Sequence, residues 1–147
     1  MRKLNGIRSR AVLALVAAAA LAAPADSQRG GGVNALTKLQ PGLWQLRMLG
    51  GAATRPTPIC IGDPAVLTQL QHRNAPCSRL VLAQDGQGAT VHYTCPQGGY
   101  GQTSLRVETP RLVQIETQGI ADNVPFAFRA EARFVGSCNS AQRPSGR

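Results

Sequence analysis

Four cysteines and two histidines are the residues of this 147-residue chain best suited by type to ligate a metal, exchange electrons or move a proton near neutral pH: Cys60, Cys77, Cys95, Cys138, His72 and His92. Their spacing decides between those chemistries. Structural zinc sites bring ligands in close pairs, and redox sites use C-x-x-C. Here the gaps between successive cysteines are 17, 18 and 43 residues, and no C-x-x-C occurs. An even count at wide spacing in a small chain points instead to disulfides. The two histidines lie apart, so no metal site and no cofactor is expected. A Ser/His/Asp set can be assembled from Ser78 or Ser104, His72 or His92, and Asp63 or Asp122, but no spacing ties its members together. No G-x-S-x-G, H-E-x-x-H or G-x-x-x-x-G-K motif is present. No catalytic residue is therefore assigned.

Three pairings of four cysteines are open, and Cys60–Cys77 with Cys95–Cys138 is the preferred one. Between the first two lies "GDPAVLTQLQHRNAP". Asp63 can cap a helix whose first turn holds Pro64, where a missing N–H costs nothing. Val66, Leu67 and Leu70 then share one face, and Asn74-Ala75-Pro76 ends the segment. A bridge at its base would staple the excursion, with His72 facing solvent. The closures are worth about 3 kcal/mol for this loop and about 4 kcal/mol for the longer one.

The elements that would carry these cysteines read mostly with period two. Trp44, Leu46 and Met48 fall on one face, as do Val91, Tyr93 and Cys95. Leu105 and Val107, then Val113 and Ile115, continue the pattern. In "FAFRAEARF", Phe126, Phe128, Ala130, Ala132 and Phe134 face inward, while Arg129, Glu131 and Arg133 face outward. Carried two steps further with Gly136, that parity puts Cys138 on the inner face with Cys95. Alternation of this kind builds an antiparallel sheet with one wet face. Turn chemistry separates the strands: "QDGQG" at 84–88 is a hairpin signal, "PQGGYGQ" at 96–102 a looser glycine turn, "ETPRL" at 108–112 a tight one, and "GIADNVP" at 119–125 a longer connection. The expected fold is mainly β: a single antiparallel curved meander sheet, an open half-barrel, with one short disulfide-bracketed helix.

The ends read differently. A basic start (Arg2, Lys3, Arg8, Arg10), the 13-residue apolar run 11–23 and the small-residue pattern Ala23-Pro24-Ala25 form a secretory signal over residues 1–25. A run of that length is too short to span a bilayer comfortably. Residues 26–34 are expected as a flexible leader, 35–138 as the β-rich domain and 139–147 as a disordered tail. Removal of the signal takes four of the 16 basic residues, leaving twelve against seven acids, a net +5. Those twelve are scattered, where a nucleic-acid surface concentrates charge on one face. The reading is of a periplasmic or secreted chain, with no nucleic acid as partner and no transmembrane anchor after processing.

The order "LQPGLWQL" (39–46), a cysteine-bearing strand with a helical insert ending in a second cysteine, a third cysteine closing a strand, and a final strand ending "GSC" (136–138) is similar to domain of unknown function 3617, a family of small exported proteins of Gram-negative bacteria. The resemblance covers residues 39–138. It implies a periplasmic β-rich domain and no established activity. The function expected is a non-catalytic binding or envelope-interaction domain. Its partner would be a periplasmic protein or a small apolar ligand, the latter lined by Trp44, Met48, Tyr93, Phe126, Phe128 and Phe134. The competing reading is a small hydrolase-like or metal-binding enzyme using His72 or His92.

Overall fold

The computed structural model describes residues 32–51 and 55–139. The expected signal at 1–25, most of the expected leader and the tail beyond Asn139 lie outside those residues. Seven strands form one open antiparallel sheet: β1 (Gly42–Leu49), β2 (Thr57–Ile61), β3 (Ser78–Gln84), β4 (Gly88–Cys95), β5 (Gly99–Thr109), β6 (Leu112–Ala121) and β7 (Val124–Gly136). Their spatial order is β2-β1-β7-β6-β5-β4-β3. The stretch from β3 to β7 is the expected meander. The first hairpin departs from it: β1 pairs with β7, so the first and last long strands are neighbours. The chain therefore leaves edge strand β2 and must reach β3 at the opposite edge.

It does so across the inner face, through a 3₁₀ segment at Pro64–His72. Asp63 caps it as the sequence predicts, its side chain accepting from the Ala65 amide at 2.9 Å, with Pro64 at the first position. The expected single helix is instead interrupted at Gln69, whose backbone is non-helical. A shorter 3₁₀ turn (Asn34–Lys38) covers the same face, tied to the β3–β4 hairpin by the Asn34 amide on the Gln84 side chain and by Lys38 on the Gly86 carbonyl. Leu36, Leu39, Leu67 and Leu70 from these segments meet Trp44, Ile59, Ile61, Leu105, Val107, Val113 and Ile115 from the sheet in one core. Covering each such side chain from water is worth about 2 kcal/mol, which holds the short 3₁₀ pieces in place where propensity alone would not.

Strand ends follow turn chemistry. Asp85 accepts from the Gln87 and Gly88 amides at 2.7 and 2.8 Å, closing the β3–β4 turn. The 119–125 connection is tighter than expected. Strands run through Gly119 and Pro125, leaving only Asp122 and Asn123, with φ of 50° and 62°. Two successive positive φ values are the demand of the hairpin turn that matches strand twist, and Asp and Asn tolerate them best. Register shifts interrupt β1–β7, β3–β4 and β5–β6. Such bulges bend and twist a sheet that must wrap its own crossover.

Candidate functional site

The sulfurs pair as Cys60–Cys138 and Cys77–Cys95, with Cα separations of 5.7 and 4.1 Å. The preferred pairing above is thus corrected, and the strand order shows why. Cys95 lies on β4, three strand spacings from β7, about 14 Å at the usual interval. A disulfide needs its Cα atoms within about 7 Å. Cys77 directly precedes β3, where Ser78 pairs with Thr94, so it stands opposite Cys95. The parity argument for Cys138 failed at a bulge: Trp44 pairs with Phe134 but Leu43 pairs with Gly136. The extra residue, Val135, moves the following positions to the outer side. Leu43 also pairs with Cys60 on β2, so Cys138 reaches Cys60 across β1 on that side.

The inner face is occupied by the chain's own atoms. Of the six expected lining residues, Trp44 and Tyr93 are fully buried. The Trp44 indole donates to the Gln40 carbonyl at 3.1 Å and meets Phe134 edge-on at 5.6 Å. The Arg111 guanidinium lies 5.1 Å from the centre of the Phe134 ring. Phe126, Phe128 and Phe134 are half-buried, and the last two pack against the core. Met48, expected inward with Trp44, keeps that face in register but is exposed where β1 runs out.

His72 does not face solvent as expected. It is half-buried, its Nδ1 3.1 Å from the Tyr93 hydroxyl and its ring edge-on to Tyr93 and Phe126. Each of these three rings fills a space left by a glycine. A Cβ on Gly99 would strike His72, one on Gly101 would lie 2.6 Å from the Tyr93 oxygen, and one on Gly119 would touch Phe126 as well as the β5 backbone. The signal for this is the period-two spacing of Gly99 and Gly101 in "GYGQ", which is also turn chemistry. Beside it the Thr103 and Thr117 hydroxyls share a buried 2.7 Å hydrogen bond. Burial pushes the Tyr93 phenol up from its ordinary value, more than its hydrogen bond with Thr117 lowers it. A phenol held neutral this way serves packing and offers no base near neutrality.

A second buried polar group organises the crossover. The Gln69 amide donates to the His72 and Ala75 carbonyls, both at 2.9 Å, and its oxygen accepts from Arg79 Nε at 2.9 Å. All its bonding capacity along this path is spent on closing the 3₁₀ segment and docking it to β3. His92 lies on the opposite face of the sheet, 3.4 Å from the Thr94 hydroxyl and tilted against Tyr100 at 6.2 Å. Among the described residues neither histidine has an acidic partner, and no group of three His, Cys, Asp or Glu is placed to hold a metal.

The outer face is where side chains remain uncommitted. Leu80 and Leu82 on edge strand β3, and Tyr100 on β5, are about half exposed. A depression of about 390 Å³ opens beside Tyr100, between His92 and Ala127. No helix among the described residues is long and apolar enough to cross a membrane. Comparisons with protein-family models, with curated proteins and with solved structures find no match for this chain.

Proposed function

We propose that this is an exported, non-catalytic binding or envelope-interaction domain that recognises its partner through the outer surface of its sheet. The observation that carries the reading is the division of the fold. The inner face is sealed by Leu36, Leu67, Gln69 and Leu70, while large uncharged side chains at Leu80, Leu82 and Tyr100 stay in water on the outside. Leaving such groups exposed together at one end of a sheet marks contact surfaces on small domains. Two disulfides favour a periplasmic or secreted address, because they persist in oxidising compartments. The resemblance of the "PGLW" start and the cysteine order to domain of unknown function 3617 supports the same address and adds no activity.

The test is site-specific photocrosslinking in cells that export the full chain. A photoreactive residue at position 80 or 100 should give a discrete adduct, resolved by mass spectrometry for both proteins and small molecules. The same group at Met48 on the inner rim should give none. Adducts from the inner rim alone would overturn the reading, as would their absence at all three positions.

A further inference from the structure

The outer face of the sheet divides into two chemically distinct halves. In one half stand Arg47, Arg106, Arg129, Glu108, Glu116 and Glu131. Arg106 is paired with Glu108, Arg133 with Glu131 at 3.0 Å, and Glu116 stands opposite Arg129 in the register. These charges answer one another. In the other half, two rows cross the sheet from β3 to β7. One runs Leu80, His92, Gln102, Gln118, Ala127, and the other Ser78, Thr94, Tyr100, Ile120, Pro125. Neither row contains a lysine, arginine, aspartate or glutamate.

Gln102 and Gln118 are cross-strand partners, both exposed, and both line the 390 Å³ depression. Neither side-chain amide has a hydrogen-bond partner among the described residues, so both are free to bond a ligand. Tyr100 forms the adjoining wall, half exposed, its ring propped against His92. Gly101 and Gly119, the next pair along the two strands, also line the depression through their backbone.

We infer that this depression binds a neutral saccharide, with one sugar ring stacked on Tyr100 and its hydroxyls bridged by Gln102 and Gln118. The inference rests on the outer-surface reading above and names its ligand class. A pyranose presents a flat face of C–H groups that packs on an aromatic ring, and a rim of hydroxyls that both donate and accept. A carboxamide is the uncharged side chain that offers both functions in one plane, and two side by side match neighbouring hydroxyls. An anionic ligand finds no cation in either row. A purely apolar ligand would strip water from two amides without replacing their hydrogen bonds, which is costly. An added peptide strand needs a free backbone edge; β4, β5 and β6 beside the depression are paired on both sides, and the free edge of β3 lies outside it.

The experiment is an amide NMR titration of the oxidised mature chain with three neutral tetrasaccharides, built from β-linked N-acetylglucosamine, β-linked glucose and α-linked glucose. Saturable shifts are expected at Tyr100, Gln102 and Gln118, including the side-chain amides, for at least one of them. Tyr100→Ala should weaken that binding about tenfold, the scale of one lost ring contact. Being exposed, the position tolerates the change without unfolding. Arg133→Ala, in the charged half, should leave binding unchanged. Absence of saturable shifts with all three sugars overturns the saccharide assignment, as does equal binding by Tyr100→Ala. If that happens while crosslinks at position 80 or 100 persist, the outer-surface reading stands and only the ligand class falls. If the crosslinks are also absent, both fall.

Discussion

Replacing both cysteines of one bridge at a time separates the two disulfides by magnitude. Cys60 and Cys138 are 78 residues apart and Cys77 and Cys95 are 18 apart. Loop-closure entropy in the unfolded chain then assigns about 4.5 kcal/mol to the first bridge and about 3 kcal/mol to the second. The folded state widens the gap. Cys60 sits on a five-residue edge strand and Cys138 follows the end of β7, so without the bridge both ends can fray from β1. Cys77 and Cys95 flank a strand pair that keeps its ladder in any case. Cys60→Ser/Cys138→Ser should therefore lose more stability than Cys77→Ser/Cys95→Ser, by about 1.3 kcal/mol on the closure difference alone. Urea denaturation followed by the fluorescence of Trp44 reads this directly, since Trp44 is fully buried where β1 meets both β2 and β7. Double variants are needed because a single one leaves a thiol free to exchange. Equal losses, the reverse order, or a non-reduced peptide map joining Cys60 to Cys77 would refute the reasoning.

Burial raises the Tyr93 phenol above its ordinary 10.0, so the folded state holds that proton more tightly than the unfolded chain does. Its contribution is full below about pH 10 and is lost as pH climbs from there through the folded value, so Tyr93→Phe should flatten the alkaline fall in stability measured by urea midpoints. The same variant should cost about 1 kcal/mol at neutral pH, through the hydrogen bond with His72. Gly101→Ala should destabilise by about 2 kcal/mol, because its Cβ would lie 2.6 Å from the Tyr93 oxygen. Gly62→Ala, with nothing within 4 Å of the added carbon, should stay within about 0.5 kcal/mol when both variants are compared by urea denaturation. Gln69→Ala leaves the His72 and Ala75 carbonyls without their donor and should lower stability by about 3 kcal/mol, with faster amide exchange over Leu67–Ala75.

The strands legible in the sequence were those with one face in the core and one in water. Val91 and Tyr93, Leu105 and Val107, Val113 and Ile115, and Ala130 and Ala132 are buried as alternation predicts, because a sheet side chain has only two directions to choose from. Parity is a cumulative count, however, and one bulged residue at Val135 reverses everything after it. That single insertion hid the partner of Cys138. Edge strands β2 and β3 were illegible for a different reason. Pro58 interrupts the first, and in the second Leu80 and Leu82 stay exposed, so neither shows a clean inward face. Gln69 and His72 carry no apolar signal at all. Their burial depends on partners brought from β3, β4 and β7 by a crossover that no local pattern encodes. Asp63 and Pro64 are legible because their effect is local: the cap and the first-turn proline stand where the sequence predicts.

The correction to the disulfides also changes what they hold. A bridge from Cys60 to Cys77 would have tied the crossover to itself, leaving it free to lift from the sheet as a closed loop. The bonds observed anchor its entry to the end of β7 and its exit to β4, at separate places on the sheet. The segment between them carries Leu67 and Leu70 into the core and Gln69 onto β3. Its two ends are thereby tied down at opposite sides of the sheet. Its 3₁₀ geometry is weak by itself, so this double anchorage converts a marginal segment into a permanent wall of the core. A face sealed in that way is filled by Leu36, Leu39, Leu67 and Leu70 of the chain itself. On the reading proposed above, recognition then falls to the outer surface, where Leu80, Leu82 and Tyr100 remain in water.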